Sequence, residues 1–305
     1  SGPIVQPEAL LRCEIGSAKP MENIRLGLQT LVFGLTLKVV FANNLGGLWV
    51  QPTVMGYAYT STPAVWLSLI GYTMQLYLDF YGYSLMAVGV GKMLGYDLPQ
   101  NFLTPYASKT VSEFYRRWHA TLGAWFREFV YIPMGGNRVS KGRWVFNILT
   151  VWMLTGLWHG AAWNFVLWGL LFAVLLTVEK FLVGKAMAKM PGWLVRIPVL
   201  AILLMSFVLF NASSLSQALS DVGGMFGLGG LPLVSTASLY YLRSYGLLLL
   251  FAAVGATPLV SRTAKKLESR TVTAILEPVV LCALLLAVTA FLVGGSFNPF
   301  LYFRF

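Results

Sequence analysis

Charge is nearly absent from seven separate stretches of this sequence, and each is long enough for a helix to cross the apolar core of a bilayer. The stretches are 24–42, 63–84, 143–159, 161–181, 194–212, 238–258 and 272–295, none with more than two charged side chains. A helix of about 20 apolar residues spans the hydrocarbon region. With no water there to satisfy peptide groups, a run of this kind has to close its hydrogen bonds within itself. The prediction is an all-α polytopic membrane protein with about seven spans, forming a single membrane domain over 1–305. Composition agrees, with 57% hydrophobic and only 11% charged residues, against about 25% charged in a soluble domain. The sixth span is the weakest, because Arg243 interrupts its start.

The net charge of +11 would suit a nucleic-acid partner, but the basic residues are not spread as a binding face. Lys180, Lys185, Lys189 and Arg196 fill one segment between spans, Arg262, Lys265, Lys266 and Arg270 a second, and a third block runs from Lys109 to Arg143. Residues 43–62 carry no formal charge and 213–237 only Asp221. The positive-inside rule puts the basic segments in the cytoplasm and the others outside, consistently for all seven spans. The expectation is a bacterial cytoplasmic (inner) membrane protein in contact with the lipid bilayer, with no nucleic-acid role. Cys13 and Cys282 are too few for a disulfide framework, and two histidines without a cysteine pair leave no zinc ligand set, so no metal is expected.

Along the chain, 1–22 with its three prolines reads as an irregular cytoplasmic entry, and the abrupt start suggests that amino-terminal spans are missing. The glycines in 63–94 predict a helix broken near its inner end. Block 95–142 mixes aromatics with charges of both signs, which fits interfacial or re-entrant helices. Residues 143–182 read as two antiparallel spans broken near Gly156 and Gly160. The Ser/Gly-rich 213–237 is expected to be a flexible outer loop, and the ending SFNPFLYFRF a surface anchor.

Both histidines sit in or beside this apolar material. An ionisable side chain at membrane depth costs about 2.5–3.5 kcal/mol on insertion scales and marks a candidate functional site. His159 follows Trp158, with Asn164 one turn on and Trp152, Trp163 and Trp168 as possible walls. A neutral imidazole there can take the proton of a substrate hydroxyl as its oxygen attacks an acyl carbonyl. His119 lies in SEFYRRWHATLGAWFRE. With 111–128 as one helix, Glu113, Arg116 and Arg117 share a face. Arg116, Arg117 and Arg127 beside Trp118 suit either a phosphate-bearing ligand or lipid headgroups. Asp79 could orient an imidazole or pair with an arginine of that block.

The runs LYLDFYGYSLMAVGVGKMLGYDLPQNFLTPY, SEFYRRWHATLGAWFREFVYIPMGGNR and LTGLWHGAAWNFVLWG resemble the membrane-bound O-acyltransferase (MBOAT) superfamily, in its alginate O-acetyltransferase-like bacterial branch. Leu85 and Tyr115 depart from the residues many relatives carry there. The resemblance implies helices around a transmembrane tunnel, an essential histidine at His159 and a second motif histidine at His119. It implies no bound cofactor. Acetyl-CoA or an acylated carrier protein would be the donor, and an exported polysaccharide or an outer acyl-accepting partner the acceptor. Other acyl transfer to a cell-wall polymer, such as D-alanyl transfer, is the alternative. A transporter and a non-catalytic scaffold of an export complex are the rivals of another class. A transporter would show paired repeats, and 190–300 has no counterpart of the motif-rich 75–170.

Overall fold

The computed structural model describes residues 2–7, 10, 19–55, 61–228, 230–267 and 271–295. Cys13, Arg270, most of the entry segment and the SFNPFLYFRF ending lie outside the described residues. Those described are all-helical, with no strand. The helices are α1 (Pro20–Thr36), α2 (Asn43–Met55), α3 (Thr62–Met93), α4 (Val111–Arg117), α5 (Ala120–Phe126), α6 (Lys141–His159), α7 (Trp163–Val178), α8 (Gly192–Asn211), α9 (Leu215–Met225), α10 (Thr236–Gly255), α11 (Pro258–Leu267) and α12 (Thr271–Gly294). π-helical turns at Leu37–Ala42, Arg127–Tyr131 and Glu179–Val183 join or extend these elements.

Each of the seven expected crossings is a helix, but among the described residues five are long and apolar enough to cross a membrane. They are Pro20–Trp49, Trp163–Met187, Gly192–Asn211, Thr236–Gly255 and Ile275–Gly294. Thr62–Met93 and Lys141–His159 fall short of that measure. The first carries Gln75, Asp79 and four tyrosines; the second carries Lys141, Arg143 and Asn147 beside three tryptophans. Two further expectations need correction. α3 runs unbroken through its glycines, because they serve packing rather than a kink. The 213–237 loop contains α9, started by Ser214, whose hydroxyl accepts from the Gln217 N–H at 3.1 Å. A polar N-cap outweighed the glycine content.

The chain forms two compact units. In the first (Ser1–Val54, Ile70–Leu103, Leu239–Arg304), α1 and α3 run against each other at backbone contact. A Cβ at Gly27 would lie 2.6 Å from the Gly89 carbonyl, and one at Gly34 would lie 2.6 Å from that of Gly82. The spacing of seven residues on both helices keeps the bare positions on one seam, as in membrane helices that pack through small residues. The seam continues to an ion pair between Lys38 Nζ and Asp79 Oδ1. Asp79 is 2% exposed and Lys38 6%. The arginine partner considered for Asp79 is thus replaced by a lysine of its own unit. α12 joins α1 through Glu277, which accepts from Arg25 Nη1 at 2.6 Å.

The second unit (Met55–Leu69, Thr104–Ser238) holds α4 to α9. Here α6 and α7 form the expected antiparallel hairpin, joined by only three residues. Gly156 and Gly169 face each other's helix so closely that a methyl group at either would collide with the backbone opposite, at Phe165 and Trp152 respectively. The Gly135-Gly136-Asn137 turn is fastened to this hairpin: Asn137 Oδ1 accepts from Tyr131 (2.7 Å), Trp144 (3.0 Å) and Lys180 (3.2 Å).

Candidate functional site

The expected helix over 111–128 is two short helices with a left-handed residue between them. Thr110 caps α4, its hydroxyl accepting from the Glu113 N–H at 3.0 Å. Glu113 in turn accepts from the Lys109 N–H at 2.8 Å, a capping arrangement that the TVSE sequence encodes. α4 ends after seven residues. His119 then sits at φ 46°, ψ 49° and starts α5. That conformation costs a non-glycine residue on the order of 1–3 kcal/mol and persists only where the surroundings enforce it.

The kink is enforced by aromatic packing. Phe114 is fully buried and stacks on Trp118 at 5.4 Å. Trp118 also meets Phe207 of α8 at 5.7 Å. Tyr115 points between α6 and α7, edge-on to Trp152 at 4.4 Å and Phe172 at 4.7 Å. With both sides of α4 seated this way, the chain has to turn at His119, and the ring goes inward, 4% exposed.

His159 comes to the same place from the end of α6. Trp158 lies against both imidazoles, its centroid 5.6 Å from His119 and 4.9 Å from His159. His159 is half-buried among rings: Trp168 of α7 and Phe210 of α8 meet it edge-on, each at 5.2 Å. Asn164 serves this wall, its Nδ2 donating to the Phe210 carbonyl at 3.1 Å and so tying α7 to α8 beside the ring. Burial lowers the His119 pKa from 6.5 to about 3, so the ring is neutral at neutral pH. A neutral imidazole carries one donor N–H and one acceptor nitrogen.

The remaining candidates divide by position. Arg117 pairs with Glu113 (2.7 Å) and reaches Thr104 Oγ1 (3.5 Å), so it braces the kinked segment. Arg116 and Arg127 are exposed. Asp79 belongs to the other unit, with Lys38. Trp163, expected as a wall, is 78% exposed. Sequence reasoning passed over Phe210 and the role of Tyr115, which approach the site from separate helices and carry no motif of their own.

Comparison with known proteins places the chain by sequence. The model of the membrane-bound O-acyltransferase family matches residues 2–216. The peptidoglycan O-acetyltransferase of Helicobacter pylori is 36% identical over 69% of this chain and 40% of its own length. The probable alginate O-acetylase of Azotobacter vinelandii is 29% identical over all of this chain and 67% of its own. The teichoic acid D-alanyltransferase of Bacillus subtilis is 38% identical over 38% of this chain and 31% of its own. The chain therefore spans between about 40% and two thirds of these first two relatives. With the family model matched over more than two thirds of its length, the chain belongs to the membrane-bound O-acyltransferase family.

Proposed function

We infer that the protein transfers an acetyl group from a cytoplasmic donor to a hydroxyl of an exported polysaccharide. The single observation that carries this reading is the pairing of His119 and His159 across Trp158 in a chain of acyltransferase ancestry. His159 acts as general base: a neutral ring nitrogen takes the acceptor's hydroxyl proton as the oxygen bonds to the acyl carbonyl carbon. With acetyl-CoA or a thioester-bearing carrier as donor, the C–S bond breaks and the departing thiolate takes up the proton. His119 shares the pocket as a neutral ring. Arg116 and Arg127, exposed on the polar side of the segment, are suited to the donor's phosphates. The site is reached through a tunnel between helices in the inner membrane.

Names among the relatives support polymer acylation in general, and the D-alanyltransferase match favours D-alanyl transfer as the second reading. Both are tested together. In the full-length protein expressed in its own host, His159→Ala should abolish ester-linked acetate released by mild alkali from the isolated polysaccharide, with membrane insertion intact. Acetate at the wild-type level in that variant rejects the catalytic role. Released alanine in place of acetate selects the second reading.

A further inference from the structure

The segment that delivers His119 begins and ends on left-handed, non-glycine residues, Thr104 at φ 48° and His119 at φ 46°. Two such residues in one short stretch are held by something outside it. Two side chains from other helices reach its backbone. Glu179, which opens the π-helical turn beyond α7, accepts from the Val111 N–H at 2.7 Å and the Ser112 N–H at 3.3 Å. Arg196 of α8 donates its Nε–H to the Ala107 carbonyl at 3.0 Å.

With Thr110 serving Glu113, the first three amides of α4 are all satisfied, two of them by a carboxylate placed at the positive end of the helix. The π turn is itself informative. An inserted residue re-aims the side chains around it, and such insertions concentrate at functional sites. Neither residue lies in the motif-bearing stretch, and neither touches a histidine.

We propose that Glu179 and Arg196 are positioning residues for the acyl-transfer site, clamping the Thr104–His119 segment so that the His119 ring stays against Trp158. The proposal rests on the reading that these histidines form the site. Without the Glu179 carboxylate the first turn of α4 loses two hydrogen bonds and its favourable end charge. The left-handed residues can then relax, and His119 turns out of register while the aromatic seat of α4 remains.

The test uses the full-length protein in nanodiscs and two readouts. Hydrogen exchange followed by mass spectrometry should show amides of 107–122 exchanging at least 10-fold faster in Glu179→Ala, with α6 and α7 unchanged. Steady-state transfer to a soluble oligosaccharide should show kcat down at least 10-fold with donor KM within 2-fold. Glu179→Gln, which keeps one acceptor oxygen, should recover kcat to within 3-fold of wild type, and Arg196→Ala should resemble Glu179→Ala more weakly. Unchanged exchange overturns the clamp. Faster exchange with kcat within 2-fold of wild type overturns its role in positioning, as does a kcat loss that Gln fails to restore. Exchange is independent of chemistry, so full activity in His159→Ala would reject the underlying site while leaving the clamp standing.

Discussion

Breaking the Lys38–Asp79 pair tests both the packing of the first unit and the part Asp79 takes in the protein. The two side chains are 8% and 3% exposed, against an otherwise close-packed seam. Asp79→Leu removes the anion and leaves an ammonium group that water barely reaches. Losing one partner of a buried pair typically costs about 3–5 kcal/mol, because the survivor's desolvation is no longer compensated. At about 1.4 kcal/mol per decade, the folded fraction relative to unfolded should fall by about two to three and a half decades. Lys38→Met should cost a similar amount. Joining Lys38→Met with Asp79→Leu removes both charges, and the double variant should lie within about 1 kcal/mol of wild type or above it. The coupling energy of the cycle then exceeds about 5 kcal/mol. The assay is SDS-induced unfolding of the full-length protein in bicelles, followed by near-UV circular dichroism. Single variants each costing under about 1 kcal/mol, or a double variant no better than the worse single, would refute the reasoning. Transfer activity decides the rest: if Asp79 serves only Lys38, the refolded double variant acetylates normally.

The glycine seam makes a steric prediction. Gly34→Ala places a methyl 2.6 Å from the Gly82 carbonyl, forcing α1 and α3 apart at a cost of roughly 1–3 kcal/mol; a thermal midpoint equal to wild type would contradict it. Arg117→Ala removes a half-exposed pair with Glu113 and should cost under about 1 kcal/mol in the same unfolding assay. For pH, the sign follows from His119. Its folded-state pKa of about 3 lies below the ordinary 6.5, so between those values the unfolded chain binds the extra proton. The stabilisation from keeping the ring neutral is complete above pH 6.5 and is lost as pH falls toward 3, at up to about 1.4 kcal/mol per pH unit. His119→Asn should flatten that slope in unfolding measurements between pH 4 and 7; an unaltered slope would show that another group sets it.

How much was legible in advance differs by element. The membrane spans were readable because apolar length is a one-dimensional property, and the two crossings that fell short are those with a tyrosine-rich or tryptophan-rich, partly polar surface. The α6–α7 hairpin was readable from Gly156 and Gly160. The break at His119 was not, since nothing in FYRRWHATLG prefers a left-handed residue. It accompanies distant seats for two neighbouring side chains, Tyr115 between α6 and α7 and Trp118 against Phe207 of α8, with Phe114 stacked on Trp118. Asp79 showed itself as a buried charge needing a partner, but an imidazole or an arginine of the 116–127 block was the expected one, and Lys38, 41 positions away, is the partner found. Glycines misled twice, in α3 and at the end of α9, because the same residue permits a bend or a place in a packed helix, and only the surroundings decide which.

Sequence alone determined that the chain is a set of membrane helices with two imidazoles in its motif-dense region, because hydropathy and residue chemistry are written position by position. The tertiary structure alone decided that the imidazoles meet across Trp158, that Phe210 closes their wall, and that Glu179 and Arg196 hold the backbone leading to one of them. Those contacts join residues 39 to 89 positions apart, and no local pattern encodes which distant side chain will fill a given space.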